Sequence, residues 1–303
     1  MNGNFFEDFE LGQTFQSGWR AITTGDQALY ISFTGDRTPA YCDARGWVHP
    51  LLLMHMVFGQ TVRDVSLNAR ANLGYAEMVW HATLGAGEAV STRTTVVGLK
   101  ENKSGRDGIV YVESVGVSEA GPVLSFKRWV MVRKRDEART PWFENPVRPD
   151  LESAVDPSSF APIPVVAGPG PRFGDFEVEQ RIEHPDGFTI TEAEHRMFTR
   201  HFQNSARVHF DERQTKPSLV YGGYPWSIGY ASSFTGMEGR LGTLAVNGGK
   251  HAAPTKAGDT LSAATVIMDK ADLGYCGALR CRMLVYNGRE VVLDLDYWEA
   301  VAK

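Results

Sequence analysis

The spacing of apolar and polar positions along the chain describes one plan followed twice. Ile22 to Asp26 supplies threonine and aspartate suited to capping a helix, and an apolar-periodic run from Ala28 to Phe33 follows. Pro50 opens a longer helix, because proline is well placed where no N–H is needed. That helix is expected to continue from Leu51 to Arg70, with Gly74 ending the region, and its first residues are apolar on most sides, as in a buried helix. From Met78 to Arg133 the pattern becomes short Val-, Thr- and Tyr-rich runs between turn signals. Thr92–Val97, Ile109–Val115 and Phe126–Val132 read as antiparallel strands.

Residues 136–171 hold eight of the fifteen prolines, a density that excludes a helix or a central strand and predicts an extended linker. The plan then restarts. Phe6–Glu10 and Phe173–Glu177 share Phe-x-Asp-Phe-Glu, and Ile22-Thr23 matches Ile190-Thr191 at an offset of 168. At that same offset Asp36 falls on Asn204, Tyr41 on His209 and Asp43 on Asp211. A helix over about Tyr224 to Phe234 and strands over Thr260–Met268, Ala278–Val285 and Val291–Glu299 complete the second copy. Shared order and near-constant offset predict a duplication. The fold class expected is α+β: a tandem, or double, hotdog in which each half wraps an antiparallel sheet around a long central helix. The expected boundaries are 1–135, a linker over 136–171, and 172–303. Pairing two copies in one chain covers the sheet edge and helix flank that a single copy leaves open.

Composition narrows the classes of function. Of the residues, 43% are hydrophobic and 22% charged, enough for a packed core, and the net charge of -5 argues against a general nucleic-acid binder. The longest apolar run, Pro50 to Gly59, is too short to span a membrane, and the first residues lack the basic and apolar regions of a signal peptide. Three scattered cysteines (Cys42, Cys276 and Cys281) suit reduced thiols in the cytoplasm and make no zinc pattern. A cytoplasmic homo-oligomer without metal, nucleic-acid or membrane partners is expected.

The candidate chemistry lies in His201–Asp211 and the glycine pair Gly222–Gly223. The chain resembles the MaoC-like hydratases, whose motif is Asp-x-Asn-Pro-x-His followed by a glycine at the start of the central helix. The first half keeps the aspartate (Asp36) and the proline (Pro39) and has Tyr41 for the histidine; the second keeps His209 and has Asn204 for the aspartate. The strings Gln203–Phe210, Leu219–Gly223 and Asn247–His251 are most similar to the double-hotdog mesaconyl-CoA hydratases (β-methylmalyl-CoA dehydratases). So are Val57–Val62, Asn72–Glu77, Gly98–Asn102 and Arg128–Arg135. In that family, asparagine also stands at the position of Asn204.

The resemblance implies reversible hydration of an enoyl-CoA thioester, with coenzyme A entering as part of the substrate and no separate cofactor. Hydration needs a base for water, a proton for the α-carbon and donors for the thioester oxygen. Histidine titrates near neutral pH, so His209 is assigned the proton transfer, and Asn204 holds the water. Gly223 is the expected oxyanion donor, since a helix-start N–H faces developing negative charge. Pro50 has no N–H to offer at the equivalent turn, so the first half is expected to carry no second site. Whether another group such as Asp211 shares the proton transfer stays open. Asp211, Arg207, Tyr221, Gly222 and Lys250 are further substrate-binding candidates; Lys250, Lys256 and Arg240 are weighed as phosphate contacts against ordinary surface charge. The rings of Tyr221, Tyr224, Trp226 and Tyr230 suit an acyl pocket or plain core equally. The leading substrate is mesaconyl-CoA. The alternatives are a different enoyl-CoA, or a non-catalytic acyl-CoA-binding hotdog protein.

Overall fold

The computed structural model describes residues 3–42, 46–136, 147–149, 151 and 154–303. The first half runs β1 (Thr14–Gln16), β2 (Arg20–Ala21), α1 (Thr24–Thr34), α2 (Pro39–Cys42), α3 (Pro50–Thr61), β3 (Ala69–Trp80), β4 (Ala89–Glu101), β5 (Asp107–Ser118) and β6 (Gly121–Arg133). The second runs β7 (Arg181–Thr189), α4 (Glu192–His201), α5 (Gly223–Ser232), β8 (Arg240–His251), β9 (Thr260–Asp272), β10 (Gly277–Asn287) and β11 (Glu290–Val301). Local chemistry repeats with the plan. Thr23 caps α1 through Asp26, and Thr191 caps α4 through Glu194; both are reciprocal capping boxes that satisfy N–H groups otherwise left open at a helix start.

All the strands join one antiparallel sheet in the order β1-β4-β5-β6-β3-β8-β11-β10-β9-β7, with β2 beside β4. The halves meet at β3 and β8. There Gly74 pairs with Lys250 and Val79 with Ala245, so each pair is the image of the other at an offset of 171 residues. The register is therefore that of a twofold pseudo-symmetric seam. Gly74 is required at this seam: a Cβ there would lie 2.3 Å from the Trp129 ring and 2.5 Å from the Gly249 carbonyl.

The sheet curls around α3 and α5, which share one core. Leu52, Met56 and Val57 of α3 are packed in the same apolar cluster as Tyr224, Trp226 and Ile228 of α5. Every residue of α3 except Gln60 is buried, which explains its all-round hydrophobicity. His55 binds across the halves, with Nδ1 3.0 Å from the Tyr221 hydroxyl and Nε2 2.8 Å from Ser227 Oγ. Linker residues Val155, Phe160 and Ile163 pack against the cluster of the second half that contains Trp298. Val147 bridges to Leu99, while linker residues 137–146, 150 and 152–153 fall outside the described residues.

Three expectations are corrected. The first central helix stops at Thr61, followed by one wide turn through Ser66, and Ala69, Arg70 and Gly74 belong to a strand. The second helix begins at Gly223 and ends at Ser232. Strands β7 and β8 were not expected. Along β8 the first eight residues are all buried, because a seam strand is covered on both faces and shows no alternation.

Candidate active site

His209 sits in a single short turn, Arg207–His209, between α4 and α5, and is 7% exposed. Its Nδ1 is 2.7 Å from the Leu219 carbonyl oxygen. A carbonyl can only accept, so this bond fixes the proton on Nδ1 and leaves Nε2 as a lone pair. Burial pushes the imidazole pKa down to about 4; the Leu219 carbonyl offsets this in part, and His195 adds to it. At neutral pH the ring is therefore an uncharged base. Asn204 is 1% exposed, and its Oδ1 accepts the Ala206 N–H at 3.2 Å, which holds the turn. The amide Nδ2 of Asn204 has no protein partner among the described residues.

Both side chains line one cavity of about 620 Å³ at the junction of the halves. Phe58, Ala69 and Arg128 come to it from the first half; Tyr221, Gly222 and His251 come from the second. Neither half holds the cavity alone. Among the described residues, five cations line it (Arg70, Arg128, Arg133, Lys216 and Lys256) and no aspartate or glutamate does. Such a wall favours an anionic ligand.

The helix end at Gly222-Gly223 is open. No acceptor takes the N–H of Gly222 or Gly223 among the described residues. Gly222 forms part of the wall and lies against His251, whose ring would be 2.4 Å from a Cβ at that position. Gly223 is one layer deeper, where a Cβ would meet His55 and Tyr221.

The other candidates separate. Tyr221 lines the cavity, its ring centroid 5.9 Å from that of His209. Arg207 is outside it and bonds Asn68 Oδ1 at 2.5 Å. Asp211 is held by Arg213 at 2.7 Å, also outside the wall. Lys250 projects from the far side of the seam, two-thirds exposed and 3.8 Å from Asp294. Lys256 is exposed at the cavity rim. Tyr224, Trp226 and Tyr230 are core.

Arg240 requires a correction. It is a fully buried residue of the first half's equivalent site, where its Nη2 is 2.6 Å from Asp36 Oδ2. The same guanidinium donates to Thr38 Oγ1, the Tyr230 carbonyl and Ser233 Oγ, and lies 4.0 Å from the Tyr230 ring centroid. By the seam offset its image is Ala69, a wall residue of the cavity. One site is open because alanine stands there, and the other is filled because arginine does. His49 and Tyr41 complete the filling: the rings are 4.8 Å apart, and the Tyr41 hydroxyl abuts Gly242.

The model of the mesaconyl-CoA hydratase family matches residues 1–196. A mesaconyl-CoA hydratase of Cereibacter sphaeroides is 39% identical over 99% of this chain and 98% of its own. The chain belongs to the mesaconyl-CoA hydratase family. A β-methylmalyl-CoA dehydratase of Chloroflexus aurantiacus is 41% identical over 97% of this chain and 96% of its own. Among solved structures, a MaoC-domain protein of Chloroflexus aurantiacus superposes with a TM-score of 0.92 at 40% identity, covering 99% of this chain and 98% of that one. A Mycobacterium tuberculosis protein with a double hotdog fold gives 0.81 at 24% identity, over 99% and 98% of the two chains. This family member is thus a double hotdog and a MaoC-type hydro-lyase. Two of its cavity residues went unassigned in the sequence, His251 and Arg128. His251 stood in the quoted string Asn247–His251, and only the fold brings it to the helix end. Arg128 sits in a strand whose alternation predicts burial without saying against what.

Proposed function

We propose that this protein catalyses the reversible hydration of mesaconyl-CoA to β-methylmalyl-CoA, with His209 as the proton carrier. The observation that carries the reading is the placement of His209, its Nδ1 2.7 Å from the Leu219 carbonyl oxygen, in a cavity walled by cations and an open helix end. The names of the two relatives near 40% identity support the choice of substrate.

In the hydration direction, Nε2 of His209 takes a proton from water as the water oxygen bonds to the β-carbon. Asn204 Nδ2 is free to hold that water. The π-electrons move toward the thioester carbonyl, and the N–H groups of Gly222 and Gly223 meet the negative oxygen. The imidazolium then returns the proton to the α-carbon, which restores both the thioester and the base. Dehydration is the reverse. Lys216 and Lys256 at the rim, with Arg70 and Arg133, suit the phosphates of coenzyme A.

A spectrophotometric hydration panel with mesaconyl-CoA, crotonyl-CoA and longer enoyl-CoAs tests the reading. Mesaconyl-CoA is expected to give the highest kcat/KM. His209→Ala is expected to lower kcat by roughly 10²–10⁴ with the melting temperature preserved. Preference for another enoyl-CoA would overturn the substrate, and unchanged turnover in His209→Ala would overturn the assignment of the base.

A further inference from the structure

Three buried arginine or lysine side chains occur among the described residues: Arg128, Lys134 and Arg240. Two have a carboxylate. Lys134 Nζ lies 2.6 Å from Glu101 Oε1, and Arg240 Nη2 lies 2.6 Å from Asp36 Oδ2. Arg128 has only neutral partners. Its Nη2 donates to Thr61 Oγ1 at 2.8 Å and Ser66 Oγ at 3.4 Å, and its Nη1 donates to Asn72 Oδ1 at 3.2 Å. The guanidinium covers the Phe58 ring at 4.5 Å. Its Nε has no partner at all. Burial pushes its pKa down to about 10, and the groups that oppose this shift are the hydroxyls of Tyr75 and Tyr221, with no carboxylate contributing. A buried cation without a counter-ion is strongly unfavourable, and an unused buried N–H adds to that.

The position of this cation says what completes it. Arg128 lines the same cavity as His209. Phe58 beneath it is 5.4 Å from Tyr221, and Tyr221 is 5.9 Å from His209, centroid to centroid. The cation and the base thus lie along one wall. Among the described residues, no carboxylate lines the cavity to compete. Lys216 and Lys256 at the rim are exposed, whereas Arg128 is 0% exposed. A hydrated phosphate suits the rim; a small planar carboxylate suits a buried guanidinium fork. The pseudo-symmetry isolates the residue further. Arg128 pairs with Tyr75 across the first half, and the image of that pair in the second half is Val246 with Tyr297. The filled site has no equivalent cation in this place.

We propose that Arg128 receives the free carboxylate at the end of a dicarboxylic acyl-CoA and so selects the substrate presented to His209. The proposal rests on the hydratase reading above and adds the residue that distinguishes a dicarboxylic acyl group from a plain one. Arg128 binds the end of the substrate remote from the thioester and takes no part in proton transfer.

The test has two arms. In the first, kcat/KM for mesaconyl-CoA and crotonyl-CoA is measured in the wild type, Arg128→Lys and Arg128→Met. The ratio of the two values is expected to fall roughly 100-fold in Arg128→Met, the scale of a lost hydrogen-bonded charge, and to an intermediate level in Arg128→Lys. Equal losses on both substrates would mean a structural role and overturn the proposal. In the second arm, calorimetry measures binding of succinyl-CoA and butyryl-CoA, saturated acyl groups with and without the carboxylate, to the wild type. Succinyl-CoA is expected to bind at least roughly tenfold tighter, and equal affinities would overturn the proposal even if the Arg128 variants do not fold. If the wild type hydrates neither enoyl-CoA, the hydratase reading falls, and the binding arm still decides the role of Arg128.

Discussion

The filled first-half site makes a quantitative prediction through Asp36→Asn. Asp36 is 2% exposed, and its two oxygens are both used: Oδ2 by Arg240 Nη2 at 2.6 Å and Oδ1 by the Thr38 N–H at 2.8 Å. Arg240 holds the Asp36 carboxyl below its ordinary value against the opposing effect of burial. Asparagine has nearly the same shape and can still accept from Thr38, so the change removes charge with little change in volume. It leaves Arg240 buried without its counter-ion, which in general costs about 3–5 kcal/mol. The lower end applies here, because Thr38, Tyr230 and Ser233 still accept from the guanidinium and the Tyr230 ring still lies beneath it. A loss of about 3 kcal/mol corresponds to a fall in melting temperature of about 5–8 °C for a chain of this size. The loss also depends on pH. Burial raises the Glu299 carboxyl to about 7, with Arg240 opposing the rise and Asp36 adding to it. Removing the Asp36 charge makes Glu299 easier to ionise and lets it serve Arg240. The folded variant then holds the Glu299 proton less tightly than the wild type, so the penalty shrinks as pH rises from about 5 to about 8. Thermal melts across that range, with hydration kinetics below the transition, test both points. The double variant with Arg240→Met should recover part of the loss, since both charges are then absent. A melting temperature within about 1 °C of the wild type near pH 5.5, far less than the 5–8 °C expected, would refute charge compensation as the reason for the buried pair. A large loss of kcat in the folded variant would refute the reading that the first half is catalytically silent.

Three further outcomes concern the open and the filled sites. Because burial holds His209 near pKa 4, kcat/KM should stay flat between about pH 6 and 8 and fall only as the base protonates near pH 4, and an acid limb near 6.5 would contradict the buried neutral imidazole. Tyr41→Phe removes a hydroxyl packed against Gly242 in the filled site, so turnover should stay within about threefold of the wild type; a loss of orders of magnitude would show that the first half takes part in the chemistry. Gly222→Ala would put a methyl 2.4 Å from the His251 ring and should lower kcat/KM by roughly tenfold through displacement at the helix end, a loss that steady-state kinetics would detect.

Much of the architecture was legible because its causes are local. The capping threonines Thr23 and Thr191, the proline at the start of α3, the alternating strands β4 to β6 and the constant offset between the halves are all short-range patterns. The same is true of the contrast between His209 and Tyr41, which located the open half. The end of α3 and the strand that follows it were misread, and β8 was missed because its first eight residues are all buried, which removes the period of two. In the site, His209, Asn204, Tyr221 and Gly222 come together, whereas Arg207, Asp211 and Lys250 point to other partners. Side-chain direction in a loop is set by packing from elsewhere in the chain, and no spacing rule supplies it.

The sequence by itself determined a duplicated hotdog with one surviving histidine motif, because caps, periodicity and motif spacing are written into neighbouring residues. Only the tertiary structure decided which buried cation has a counter-ion. Arg240 meets Asp36 from 204 residues away, while Arg128, set among Thr61, Ser66 and Asn72, meets no carboxylate among the described residues. Buried charges are stabilised by whatever the fold brings within a few ångströms, and that depends on the register of distant strands across the seam.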